Sequence, residues 1–133
     1  MIKLIIGNRG TGKTKILVDM MTRAVASTDG NVVCIDKGPK LAYSIRHSIR
    51  LVDAESYGIA GHEAFAGFIL GVLAGNYDIT EIYVDSLLKI VGRDYPALEK
   101  FFEIIDRATK DIKVVFTVSA DPEELPESVR KLA

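Results

Sequence analysis

The stretch IKLIIGNRGTGKT, residues 2–14, decides the fold. Ile2, Leu4, Ile5 and Ile6 form an apolar, largely β-branched run that reads as a buried strand, and Gly7 stops it. The octet GNRGTGKT, Gly7–Thr14, then leads into KTKILVDMMTRAVAS, residues 13–27. There Ile16, Leu17, Met20, Met21, Ala24 and Val25 recur at helical spacing. The order is strand, glycine-rich loop, helix.

The alternation continues along the chain. NVVCID, residues 31–36, reads as a second strand entered through the turn TDG. Residues 37–48 show no period and are expected to form a loop with one helical turn, ahead of a short strand in IRLVDA. GHEAFAGFILGVLAG, residues 61–75, is expected as a helix that is apolar on nearly every side. Its Gly67, Gly71 and Gly75 share one face, which predicts close packing on the sheet or against a second subunit. TEIYVDS, residues 80–86, is the next strand, followed by the short apolar LLKIVG. Asp94 offers an N-cap to a helix on which Leu98, Phe101, Phe102, Ile105 and Ala108 align. Glu103 with Arg107, and Asp106 with Lys110, are i,i+4 pairs on that helix. IKVVFTVS, residues 112–119, is the last strand, and DPEELPESVRKLA a short helix or tail. Near-continuous apolar strands alternating with helices predict a three-layer α/β/α fold, with a mostly parallel sheet of about five strands in one domain.

At 133 residues, 48% hydrophobic and 26% charged, the composition suits a single globular domain. No apolar run is long enough to span a membrane, and the first one ends at Gly7, too soon for a signal peptide; the expected setting is cytoplasmic, with no membrane partner. The single cysteine, Cys34, reads as a buried strand residue. His47 and His62 read as surface or helix-end residues. A net charge of -1 argues against general affinity for nucleic acid. The charge is unevenly spread, however. Residues 1–50 carry nine Lys/Arg against three Asp/Glu, and residues 51–133 eight against fifteen. The basic half suits an anionic ligand.

Gly7, Gly12, Lys13 and Thr14 complete the pattern G-x-x-x-x-G-K-[ST], whose chemistry is phosphate binding. Gly7, Gly10 and Gly12 permit positive φ, so that successive backbone N–H groups can point at phosphate oxygens. The helix that follows adds free N–H groups and partial positive charge. Lys13 is expected to reach the β and γ phosphates and the Thr14 hydroxyl to ligate Mg²⁺. Asn8, Arg9, Thr11 and Lys15 complete the expected nucleotide contact. The strand EIYVD ends in Asp85, placed to hold Mg²⁺ through a water.

On GNRGTGKT and IYVD, the chain resembles the phosphate-loop nucleoside triphosphatases, with these segments as Walker A and Walker B. The resemblance spans the strand-helix pattern of the whole chain and implies that nucleotide binds at the carboxyl ends of the strands, as in open α/β sheets generally. Ser86 stands where many relatives with an added strand between the Walker strands carry a Glu that orients the attacking water. VDS looks instead like the RecA-like branch, in which that carboxylate comes from the strand after the first helix. The resemblance makes Asp36 the first candidate, with Glu55, and also Asp53, approaching from the next short strand. Thr117 and Ser119 end the last strand, where relatives place a polar residue that senses the γ phosphate.

Three functional classes compete. The first is a Mg²⁺-dependent ATPase acting as a switch or small motor on an unidentified protein partner or through self-association. The second is a small-molecule or nucleoside kinase, with Lys37, Lys40, Arg46 and Arg50 as a phosphate lid. The third is a module that senses nucleotide without hydrolysis. ATP is favoured over GTP because no Asn-Lys-x-Asp guanine motif occurs. Arg93, just beyond the IYVD strand, is a candidate to act on a neighbouring subunit.

Overall fold

A computed structural model describes residues 1–133. Five strands form one parallel sheet: β1 (Ile2–Gly7), β2 (Asn31–Asp36), β3 (Arg50–Asp53), β4 (Ile79–Val84) and β5 (Lys113–Ser119). Their spatial order is β1-β5-β4-β2-β3. The helices are α1 (Lys13–Ser27), α2 (His62–Ala74), α3 (Leu87–Val91), α4 (Tyr95–Ala108) and α5 (Glu127–Arg130). Between β2 and β3 the expected loop holds one 3-10 turn, Lys40–Tyr43.

The apolar strands are buried on both faces because helices cover both. On one face Leu17, Met21 and Ala24 of α1, with Leu41 and Ile49, pack on Val32, Cys34, Tyr83 and Val115. The other face holds the larger core, where α2, α3, α4 and α5 cover Ile2, Leu4, Ile35, Ile82, Val84, Val114 and Phe116. Phe65 of α2 stacks on Phe101 of α4 with ring centroids 5.8 Å apart, and Phe101 meets Phe116 of β5 edge-on. The result is a three-layer α/β/α fold. No helix is long and apolar enough to cross a membrane.

Two sequence expectations need correction. The glycine face of α2 does not pack on the sheet: within the chain, a Cβ built on Gly67 or Gly71 meets nothing within 4 Å. Phe65, Ala66 and Ile69 carry the buried side of the helix, which turns Gly67 outward. Gly71 and Gly75 instead line an open groove of about 470 Å³ beside Tyr57, Phe68 and the β2–β3 edge. The expected pairs on α4 do not form within 4.0 Å. The helix ends at Ala108, before Lys110, and Glu103 and Arg107 are both exposed, where solvation competes with pairing. The Asp94 N-cap forms, accepting the Ala97 N–H at 3.1 Å.

The strand order matters most for function. β5 lies between β1 and β4, and β2 lies on the far side of β4. The carboxyl ends of β1, β5, β4 and β2 therefore carry Gly7, Thr117, Asp85 and Asp36 side by side, at the edge where open sheets bind ligands.

Candidate functional site

A cleft of about 590 Å³ opens at that edge, within the roughly 300–1,000 Å³ of small-molecule sites. Its wall contains Asn8, Arg9, Gly10, Gly12, Lys13 and Thr14 of the octet, and Asp85, Ser86 and Thr117 from the strand ends. Only two of its sixteen lining residues are hydrophobic. Five cations, Arg9, Lys13, Lys40, Lys89 and Arg93, face it with two carboxylates, Asp85 and Glu124. Such a wall favours a polyanion over an apolar ligand.

Backbone geometry shapes the octet. Gly10 has φ +82° and Gly12 φ +84°, values that L side chains rarely adopt. Gly7 does not share that conformation, contrary to the expectation from sequence; it is the last residue of β1, and a Cβ there would lie 2.7 Å from Thr11 Oγ1. Its glycine identity lets the loop fold back on the strand. Gly12 caps α1 without a side-chain hydrogen bond, so the amides of the first helical turn remain free to meet an anion.

Lys13 is almost wholly buried, and its Nζ donates to the Asn8 carbonyl at 2.8 Å and to Thr11 Oγ1 at 3.4 Å. Burial lowers its pKa below the ordinary lysine value, and the Asp85 carboxylate opposes that shift. Lys15 points away and pairs with Asp19 at 3.5 Å. Thr11 is exposed, with its hydroxyl on the Asn8 carbonyl at 2.7 Å.

Asp85 is the hub of the site. It is buried, and the Thr14 hydroxyl, 71 residues away in sequence, donates to its Oδ2 at 3.0 Å. The Thr117 hydroxyl donates to its Oδ1 at 2.5 Å. Lys40 Nζ lies 3.7 Å from Oδ2 and donates to Ser86 Oγ at 3.3 Å. Ser86 is the only non-glycine residue with positive φ, at +61°, and its N–H donates to Thr117 Oγ1 at 2.8 Å. No group of three or more His, Cys, Asp or Glu side chains assembles here. A divalent cation at this point would rest on Asp85, Thr14 and the ligand's own oxygens, a hard donor set.

Asp36 sits at the end of β2 beside Asp85, whose N–H donates to Ile35 O at 2.9 Å. It is fully buried and outside the cleft wall. Its Oδ1 accepts the Lys37 N–H at 2.8 Å, and its Oδ2 has no hydrogen-bond partner. Burial raises its pKa to about 6, against the opposing pull of Lys40. Burial, with the Asp36 and Asp85 carboxylates nearby, likewise pushes the Cys34 thiol up. Glu55 is exposed on a 3-10 turn and is not part of the wall, and Asp53 is occupied by the N–H groups of Gly38 and Glu55.

Among the four cations after β2, only Lys40 reaches the cleft; Lys37 donates to the Lys89 carbonyl at 3.3 Å, Arg50 lines the other groove and Arg46 is exposed. Arg93 also lines the cleft, with Nη2 on the Ser119 carbonyl at 2.9 Å and Nη1 4.0 Å from Glu124. Lys89 and Glu124 escaped the sequence reading. Lys89 follows the Asp85 strand closely enough for its position to have been a signal, whereas nothing in the pattern around Glu124 links it to the octet. No protein-family model matches the chain, and no curated protein matches it.

Proposed function

We propose that this chain is a phosphate-loop protein that binds Mg²⁺-ATP and acts as a nucleotide-dependent switch, with ATP hydrolysis as its reaction. The observation that carries this function is the Thr14–Asp85 contact, 3.0 Å across 71 residues. It joins the hydroxyl of a complete Walker A octet to the carboxylate that ends the Walker B strand. The position of β5 between those strands is the added-strand arrangement of the wider branch, and Ser86 after Asp85 is what favours the RecA-like group within it.

The residues divide the work by chemistry. Positive-φ glycines and the uncapped start of α1 aim N–H groups at phosphate oxygens. Lys13 neutralises phosphate charge, exchanging the Asn8 carbonyl for it. Thr14 and Asp85 fit Mg²⁺, because both present oxygen and Asp85 is already held in place by Thr117. When bound, Mg²⁺ supplies charge neutralisation along the phosphates. Arg9, Lys40 and Arg93 add positive charge around the same space. The preference for adenine rests on the absence of a guanine motif.

A second function, nucleotide sensing without rapid turnover, is favoured by one observation: neither Asp36 nor Glu55 lines the cleft. A switch of either kind acts through a protein partner or a further copy of the chain. Calorimetric titration with Mg²⁺-ATP and Mg²⁺-GTP, beside the Lys13→Ala variant, tests the site. The expected result is ATP binding that the variant loses; unchanged affinity in Lys13→Ala overturns it. Turnover separates the two functions, since Asp36→Asn retains binding and loses hydrolysis if Asp36 orients water.

A further inference from the structure

We infer that Lys40 is the residue that distinguishes a nucleoside triphosphate from a diphosphate, and that without nucleotide it is stored on Asp85 and Ser86. The inference rests on the nucleotide site proposed above and adds a specific cation to it.

The storage position is built rather than incidental. Lys40 begins the 3-10 turn after β2, and Leu41 beside it is buried in the core under α1. The root of the segment is fixed as well, because the Gly38 N–H donates to Asp53 Oδ1 at 2.7 Å. With its backbone anchored on both sides, Lys40 is fixed at its root beside the cleft that its side chain lines. Its side chain remains half exposed. At the far end, Ser86 holds a left-handed backbone, with φ +61° and ψ +44°, that a non-glycine residue adopts only when its surroundings fix it. Two hydrogen bonds do so, Ser86 N–H to Thr117 Oγ1 and Lys89 N–H to the Ser86 carbonyl at 3.0 Å, and they hold the Ser86 hydroxyl where Lys40 Nζ donates to it.

The competition arises at one atom. Lys40 lies 3.7 Å from Asp85 Oδ2, the same oxygen that Thr14 approaches at 3.0 Å. A divalent cation held between Thr14 and Asp85 therefore meets the ammonium as a like charge over a few ångströms, and the two cannot share that carboxylate oxygen at low cost. Lysine is a point charge on a flexible stem and is free to leave. Inside the cleft the anion it then meets is the end of the phosphate chain, whose inner groups are held by the octet. A diphosphate reaches the octet but lacks the terminal group. Lys40 thus strengthens triphosphate binding and leaves diphosphate binding nearly alone.

The test measures dissociation constants by calorimetry for Mg²⁺-ATP, Mg²⁺-ADP and Mn²⁺ alone, in the natural chain, Lys40→Gln and Lys40→Arg. Lys40→Gln is expected to lower the preference for Mg²⁺-ATP over Mg²⁺-ADP about tenfold, as for loss of a charge-assisted hydrogen bond to the terminal phosphate. Mn²⁺ alone should bind Lys40→Gln several-fold more tightly, because Asp85 has lost its competitor. Lys40→Arg keeps the triphosphate preference. An unchanged ATP-to-ADP ratio in Lys40→Gln overturns triphosphate recognition, and unchanged Mn²⁺ affinity overturns the storage role. If the natural chain binds neither nucleotide, the proposed function fails and this inference with it. If it binds ATP and Lys13→Ala does not, an unaltered Lys40→Gln ratio refutes Lys40 alone.

Discussion

The hydroxyl of Thr117 is spent on Asp85: it donates to Oδ1 at 2.5 Å while accepting the Ser86 N–H at 2.8 Å. The side chain expected to sense the γ phosphate is thus committed to positioning the carboxylate beside it. Thr117→Val keeps the shape but removes the hydroxyl, leaving the partly buried Ser86 N–H unpaired and the buried Asp85 carboxylate one donor short. The expected loss is roughly 2–3 kcal/mol of unfolding free energy in urea. Thr117→Ser should recover most of it. A loss below about 0.5 kcal/mol, the usual range for inconsequential substitutions, would show that Thr117 does not hold Asp85.

Asp36 makes stability depend on pH. Its pKa is raised from 3.8 to about 6 in the folded chain, so between those values the folded state binds more protons than the unfolded state. The stabilising contribution is complete below the unfolded value and is lost as pH rises through about 6. At neutral pH the buried carboxylate is ionised with Oδ2 unpartnered. Urea unfolding between pH 4.5 and 7.5 should show a decline that Asp36→Asn lacks, amounting to about 2 kcal/mol at its upper limit. Parallel curves for the two proteins would place the Asp36 pKa near its ordinary value.

Gly30 marks the tightest backbone approach beside the sheet. A Cβ there would lie 2.2 Å from Thr80 Cγ2 and 2.6 Å from the Asp78 carbonyl oxygen. Thr80 can rotate; the Asp78 carbonyl is fixed, because it accepts the Asn31 N–H at 2.7 Å where the β2–β4 register shifts. Gly30→Ala is expected to cost roughly 1–3 kcal/mol through overpacking, again measured in urea. An unchanged midpoint would mean that this corner moves freely.

The octet and Asp85 were legible because each obeys a local rule: apolar strand, glycine turn and amphipathic helix, then an apolar strand ending in an acid. Lys40 was visible only as one cation in a stretch without period. Its meeting with Asp85 depends on β2 lying next to β4, a pairing across nearly fifty residues that no local pattern encodes. Glu124 reaches the same cleft by a similarly long route, whereas Arg93 stands just beyond the Asp85 strand. The glycine spacing of α2 misled for a different reason. An i,i+4 row of small residues reads the same whether a neighbour covers it or solvent does, and the larger residues Phe65 and Ile69 decide which side is buried.

That open glycine face yields the last prediction. Gly67 lies inside α2, exposed, with no atom within 4 Å of where its Cβ would stand, and Gly71 has the same free space. Neither has positive φ, so alanine fits both backbones without strain. Glycine in a helix interior costs roughly 0.5–1 kcal/mol relative to alanine through the extra freedom of the unfolded chain. Gly67→Ala should therefore raise the melting temperature by a few degrees, and Gly71→Ala should add a similar amount although it narrows the adjoining groove. Because the two residues lie on the same face one turn apart, their effects are compared singly before being combined. If the face instead served close packing against a second copy, each alanine would lower the melting temperature and shift the protein toward monomer in sedimentation. Stabilisation with no change in sedimentation identifies α2 as a helix whose Gly67 and Gly71 are not required for folding, and leaves the groove beside Phe68 as a feature that Gly71 and Gly75 shape.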